Sequence, residues 1–298
     1  MAEVRKKTAW AIAGTVLKYG LLAAGALLMV APFLDMFLGA LRTPADRLAR
    51  PPRYFPSDPQ WQNFTRVFTE LPTLLWLRNS VIVTVSITAF QVVTSAMAGY
   101  ALAKFRFTGR DTLFRTVLGA QMFPFFLFII PVFFILRYFP LMGGNDLMGQ
   151  GGTGFLNTFP ALILPFAVTW YGIFLMRQFA MGVPDELLEA ARLDGAGEFR
   201  IFFTIVVPLV VPGLATLAIF VFVYQWNEVI WTMTVTRTAP DLQTLPVGIY
   251  LLRGAFAEEA TKSLQQAAVA VSVLPVMVTF LVLQRYYVRG LTAGSVKG

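Results

Sequence analysis

Apolar residues along the chain gather into long runs, such as "LLAAGALLMVAPFL", instead of alternating with polar ones. Runs near 20 residues recur, and that is the length of a helix crossing a bilayer. Six spans are predicted, at about residues 13–40, 81–102, 113–136, 159–176, 205–231 and 267–288. A lone helix satisfies its own backbone groups in lipid, so the expected fold class is all-α and polytopic. Prolines inside the spans include Pro32, Pro124, Pro131, Pro165, Pro212 and Pro275. They are expected as kinks, tolerated where neighbours support the backbone.

Polar stretches interrupt the runs at three places. Residues 43–78, "TPADRLARPPRYFPSDPQWQNF" and onward, read as an extended, non-helical outer loop packed on the surface. Residues 141–154, "LMGGNDLMGQGGTG", read as a flexible glycine-rich loop; no strand–loop–helix pattern around it suggests a phosphate site. Residues 178–204 form a polar elbow between two of the most apolar stretches. No internal repeat or low-complexity tract is evident, so the chain reads as one transmembrane domain, 1–298, with a core at about 75–290.

Short flanks carry Arg5, Lys6 and Lys7 at the start, Lys104, Arg106, Arg110 and Arg115 in the turn after the second span, and Arg285, Arg289 and Lys297 in the tail. All three groups fall on one side, which is then cytoplasmic, with both termini. This makes 43–78 extracytoplasmic and 178–204 cytoplasmic. Arg42, Arg47, Arg50, Arg53, Arg66 and Arg78 on the other side oppose that assignment.

Composition narrows the class further. Of 298 residues, 57% are hydrophobic and only 13% charged, too few charges to cover a soluble surface of this size. Mean hydropathy is +0.66. The net charge of +8 fits basic flanks meeting anionic lipid, since no aromatic–basic run resembles a nucleic-acid surface. The "MAEVRKKTAW" start lacks a convincing cleavage site and precedes a long apolar run, so a retained first span is expected. The absence of Cys and His removes disulfides, thiolate metal sites and the usual general base. No metal, cofactor or catalytic group is expected in the chain.

In the elbow, Pro184 suits a first helical turn, and Asp185 and Glu186 sit at the positive end of the helix dipole. "ELLEAARL" continues the helix, and Asp194-Gly195 suits a left-handed stop. A second helix is expected from near Glu198. Leu187, Leu188 and Ala191 lie on neighbouring faces. Ala190 and Ala191 leave room for another backbone, and Glu189 projects a charge within pairing reach of Arg192. Two readings stand on these residues: a solvated helix that merely joins two spans, or a stiff acidic knob for a partner.

Glu189-Ala190-Ala191, three residues, Gly195, nine residues, Ile205, one residue, Val207-Pro208 resembles the EAA signature of membrane subunits of bacterial ABC importers. Val207 stands where the usual residue is leucine. "RNSVIVTVSITAFQVVTSAMAGYALAKFRFTGRD" and "QWNEVIW" resemble the carbohydrate-importer branch and the tail "LQRYYVRGLTAGSVKG" its maltose-type members, so the likeness covers nearly the whole chain. The glycine-rich insert is longer than in many relatives. The resemblance implies a type I importer permease fold, a second homologous permease, two ATP-binding subunits carrying the ATP and Mg, and an extracytoplasmic sugar-binding protein. It also implies that the elbow fits a groove on the ATP-binding subunit. Glu189 would face a polar groove residue, Ala190 and Ala191 would allow close approach, and Gly195 would set the bend, with Arg192 and Asp194 beside them.

Ionisable groups at membrane depth suggest a site. Tyr224, Gln225, Trp226, Asn227 and Glu228, with Trp231 beyond, combine aromatic faces with hydrogen-bonding tips, the chemistry that sugars need. An interfacial aromatic belt with a paired acid explains them as well. Asp35, Gln91, Gln121 and Asn157 are expected to make helix–helix or headgroup-level hydrogen bonds. The phenylalanines of "QMFPFFLFIIPVFF" are expected to face lipid or other helices. The function expected is ATP-driven sugar import. Another polar solute such as glycerol phosphate, a secondary transporter and a membrane-embedded enzyme are the alternatives; the last lacks paired intramembrane acids or a nucleophile with a base.

Overall fold

The computed structural model describes the backbone of residues 2–51, 53–255 and 259–293, and the side chains of 14–51, 53–252 and 261–285. The terminal basic residues Arg5, Lys6, Lys7, Arg289 and Lys297 fall outside the described side chains. Among the described residues every regular element is helical. Three helices are long and apolar enough to span: α1 (Ala2–Leu41), α4 (Thr73–Lys104) and α15 (Glu259–Ala293). Three bent pairs bring the number to six if each pair is one span. The chain divides into two compact units.

The first unit comprises Met1–Leu71 and Leu252–Val271. Here α1 leaves Leu21, Leu28 and Met29 at 66–78% exposure, the surface expected of a lipid-facing helix. Residues 43–71 are not the extended segment the prolines suggested. They hold α2 (Pro44–Leu48) and α3 (Gln62–Thr69). Thr43 caps α2 with Pro44 in its first turn, and the Asp46 carboxylate closes a reciprocal capping box. Asp46 is 1% exposed. It accepts from the Ser57 hydroxyl at 2.6 Å, the Thr43 hydroxyl at 2.9 Å and both backbone N–H groups at 3.2 Å. The Ser57 bond leads in holding its carboxyl down to about 2. Three of the arginines that opposed the positive-inside pattern are tied into this unit. Arg42 pairs with Asp35 at 2.7 Å and Arg66 with Glu70 at 2.7 Å. Arg47 donates to Gly39 O, Gln266 Oε1 and Ser263 Oγ. A charge fixed inside its own fold is a weak topology signal.

The second unit comprises Pro72–Leu251 and Ser272–Gly298. After α4 come α5 (Arg110–Ala120), α6 (Ile129–Arg137), α7 (Phe159–Ile163) and α8 (Trp170–Met181). Next are α9 (Asp185–Leu193), α10 (Glu198–Ile201), α11 (Val207–Leu209), α12 (Val211–Trp226), α13 (Ile230–Val235) and α14 (Leu245–Ala255). Small residues let α4 and α8 touch: a Cβ on Gly99 would lie 2.7 Å from the backbone and Cβ of Met176. The core gathers Ile87, Leu162, Met176, Leu188, Leu217 and Trp231.

Three predicted spans are broken rather than kinked. α5 and the segment 125–137 meet at 93°, with Phe123 forced out of helical geometry by Pro124. Segments Phe159–Phe166 and Trp170–Met181 meet at 47° beyond Pro165. The carbonyls freed there accept from α4: Gln91 Nε2 bonds Phe166 O at 2.6 Å and Thr94 Oγ1 bonds Ala167 O at 3.1 Å. Segments Glu198–Leu209 and Val211–Trp226 meet at 79° at Val210, two residues before Pro212. A π-helical turn over Phe202–Val206 precedes Pro208. Pro32 and Pro275 sit inside unbroken helices.

The glycine-rich loop is internally bonded, not a loose tether. Asp146 Oδ1 accepts from Met148 N and Gln150 N, both at 2.8 Å. Asn145 donates to Arg137 O and Phe139 O and accepts from Gly152 N. Gly154 adopts a φ of 60° and Gly149 one of 77°, each against carbonyls a Cβ would strike.

Candidate functional site

The elbow is built from a tight turn, a short helix and a left-handed stop. Pro184 is extended and precedes α9, one residue earlier than a first-turn proline. Asp185 and Glu186 occupy the first turn. At the far end Gly195 takes a φ of 81°. The Ala196 N–H bonds Ala191 O and the Gly195 N–H bonds Arg192 O, both at 3.0 Å, which is a Schellman stop. Gly197 then leads into α10.

One face of α9 is anchored. Leu188 is 1% exposed and Ala191 packs on the same core. Truncating such a leucine costs about 2–5 kcal/mol. The opposite face is open: Glu189 and Ala190 are exposed, Leu187 is 46% exposed and Leu193 90%. The two alanines therefore divide, Ala190 outward and Ala191 inward. Asp194 is also exposed and terminates the helix through Ala190 O.

The expected Glu189–Arg192 pairing is not made. Arg192 instead bonds Glu198, Nε to Oε1 at 2.7 Å and Nη2 to Oε2 at 3.3 Å, because the Gly195 turn swings α10 back toward it. The carboxylate of Glu189 is left outside this pair. Glu198 also accepts from Tyr100 Oη of α4 at 3.1 Å.

Lys104, at the end of α4, was read from sequence only as a basic flank of the second span and not as part of the elbow. Its side chain is 8% exposed, and its Nζ donates to Val183 O at 2.6 Å and Asp185 Oδ1 at 2.7 Å. That bond, foremost, holds the Asp185 carboxyl below its ordinary range. The elbow is thus bound to one spanning helix at its entry through Lys104 and at its exit through Tyr100. No local pattern links Lys104 with Asp185, which are 81 residues apart.

The aromatic–amide cluster does not converge on one point. Glu228 caps α13, accepting from Trp231 N at 2.6 Å, Thr232 N at 3.0 Å and Thr232 Oγ1 at 2.9 Å. Asn227 bonds back to Val223 O, and the buried Trp226 donates to Ser272 O. Trp231 donates to Ala161 O. Each of these side chains is bonded to backbone within the chain. Tyr224 and Gln225 separate from them and line a cavity of about 760 Å³ with Gln91. Phe123, Phe125 and Phe128 line it too, so those phenylalanines face a hollow in the protein as well as other helices. Asn157 Nδ2 reaches Thr238 Oγ1 at 2.8 Å, Gln121 ends α5, and Asp35 is half exposed in its pair with Arg42.

Residues 91–293 match the family described as binding-protein-dependent transport system inner membrane component. The arabinooligosaccharides transport system permease protein AraQ of Halalkalibacterium halodurans is 35% identical over 277 residues, covering 92% of this chain and 93% of that protein. The sulfoquinovosyl glycerol transport system permease protein SmoH of Agrobacterium fabrum is 32% identical, covering 90% and 88%. The sn-glycerol-3-phosphate transport system permease protein UgpE of Yersinia pestis is 31% identical, covering 91% and 93%. A solved chain titled as a bacterial ABC transporter involved in the import of the acidic polysaccharide alginate superposes with a TM-score of 0.75 at 23% identity, over 92% of this chain and 96% of that one, which establishes a shared fold. Three apolar spanning helices with three bent apolar pairs among the described residues, and a match across two thirds of the sequence, thus have one explanation: the chain belongs to the binding-protein-dependent transport system inner membrane components, the permease subunits of bacterial ABC importers.

Proposed function

We propose that the chain forms one half of the membrane pathway of an ATP-driven sugar importer and receives its power stroke through the elbow. The observation that carries this is the asymmetry of α9. One face is fixed by Leu188 and Ala191, while Glu189, Ala190 and Leu193 stand free for a partner. A second homologous permease completes the pathway, and two ATP-binding subunits dock from the cytoplasm. In this orientation 43–78 faces the binding protein and both termini are cytoplasmic. Moving a two-state permease from 1:99 to 99:1 takes about 5.5 kcal/mol of differential binding, which the partner subunits must supply. Sugar as cargo is supported by the names of the arabinooligosaccharide and sulfoquinovosyl glycerol relatives. Glycerol phosphate is the second reading, supported by the Yersinia relative.

The test is uptake by vesicles containing the assembled complex. Glu189→Lys leaves the complex in the membrane with ATP hydrolysis but reduces uptake by about tenfold or more, the loss expected for about 1.4 kcal/mol or more of coupling. Unchanged ATP-driven uptake by that variant contradicts the assignment.

A further inference from the structure

Two apolar spans meet at one short turn. The spanning helix α4 ends at Lys104, and the bent pair of α5 and the segment 125–137 begins at Arg110, which leaves residues 105–109 between them. A turn that joins two spans lies at the depth of the lipid headgroups. The bonds of Lys104 to Val183 O and Asp185 put it on the same side as the elbow.

This turn encloses a hollow. A cavity of about 320 Å³ is lined by Arg106, Phe107, Gly109, Arg110, Asp111 and Thr112. Its volume is at the lower end of the roughly 300–1,000 Å³ of small-molecule sites. The charges around it do not cancel. Lys104 is spent on Asp185, and Arg110 holds Asp111 through Nε at 3.1 Å. The other bond of the Arg110 guanidinium is a long one, from Nη1 to Phe105 O at 3.5 Å. Arg106 is exposed and makes no hydrogen bond or ion pair among the described residues. Apolar surface adjoins these cations: Phe107 is 45% exposed, and Leu113, next to Thr112, is 50% exposed.

We infer that the hollow is a headgroup site for an anionic phospholipid of the leaflet on the elbow's side. The site does not depend on what the elbow does. The lipid phosphodiester lies between Arg106 and Arg110, and the start of an acyl chain covers Phe107 and Leu113. A guanidinium is a planar fork of donors, weakly hydrated, that matches phosphate oxygens. Basic pockets between spanning helices on the cytoplasmic side suit such headgroups. A zwitterionic lipid brings its own cation into a hollow that already has an excess of positive charge, so the site selects against it. The apolar rim favours a lipid over an acidic protein face, which has no chain to lay on Phe107 and Leu113. Arg106 is two residues beyond Lys104, so the lipid anchors the turn from which the elbow is held.

The experiment uses the assembled importer in phosphatidylcholine vesicles with graded fractions of phosphatidylglycerol. Phosphatidylglycerol retained by the extracted complex is counted by native mass spectrometry, a readout that needs no transport. In wild type, retention saturates as the fraction rises. Arg106→Gln raises the half-saturating fraction about fivefold, the loss expected of one basic residue at a charged bilayer surface. Its Tm in phosphatidylcholine alone stays at the wild-type value, because no bond within the chain is lost. Arg115→Gln removes an equal, exposed charge from α5 outside the cavity and leaves retention at the wild-type level. Glu189→Lys also retains the lipid as wild type does, whatever becomes of its uptake. An equal shift in Arg115→Gln means diffuse attraction to the bilayer and overturns the site. Displacement of the lipid by inorganic phosphate makes it a free-anion site and overturns it as well. Weaker binding of the ATP-binding subunits to Arg106→Gln in phosphatidylcholine alone assigns the turn to a protein contact, which also overturns it.

Discussion

Single side chains here divide into those that hold backbone and those left open to a partner, and substitutions separate them. Glu228 holds: its carboxylate serves the N-terminus of α13, so Glu228→Ala is expected to cost about 0.5–2 kcal/mol of stability. Melting of the purified complex then shows a lower Tm, with the KM for cargo unchanged; a raised KM at unchanged Tm contradicts this. Asp46 holds the loop after α1 in the same manner. Its carboxyl is depressed to about 2 from an ordinary 3.8. A depressed acid adds stability that is fully present above the unfolded value and fades as pH falls through the folded one. Asp46→Asn therefore lowers Tm at pH 7, and the gap from wild type narrows between pH 4 and pH 2. Melting curves across that range check it, and a constant gap refutes it.

At the scale of elements, the elbow is a lever with one fixed face, a stiff stop and a tether. Gly195→Pro cannot take the φ of 81°, so the stop fails, and ATP hydrolysis is expected to run without uptake. Normal uptake by the purified variant complex contradicts that outcome. Lys104→Met keeps the stem buried and removes the bonds to Val183 and Asp185. Uptake per ATP hydrolysed falls severalfold, and adding Asp185→Asn brings little further loss, since both act on one contact. Additive losses exclude the tether. The stop and the short helix were legible because their chemistry is local: a glycine after an amphipathic octet, with acids at its start. The three breaks were legible only as kinks. Proline marks where a helix weakens, but the angle depends on what receives the freed carbonyls, and Gln91 and Thr94 lie more than 70 residues from them. The short helices α2 and α3 were missed because proline density outweighed one capping box. Lys104 was missed as part of the elbow because its partner is set by the tertiary fold.

On the scale of the whole molecule, an all-α chain with an uncharged aromatic cavity and a bonded elbow is a passive machine part. It carries the binding surfaces of a transporter, and its energy enters through a partner. The central claim is that the open face of α9 is where that partner sits. The chain contains no cysteine, so Ala190→Cys gives it a unique thiol on that face. The decisive measurement is labelling of this thiol by a membrane-impermeant maleimide in inside-out vesicles, with and without the ATP-binding subunits. Rapid labelling of the bare permease and protection once the ATP-binding subunits are bound are expected. Labelling from the opposite face of the membrane, or labelling indifferent to those subunits, would contradict it.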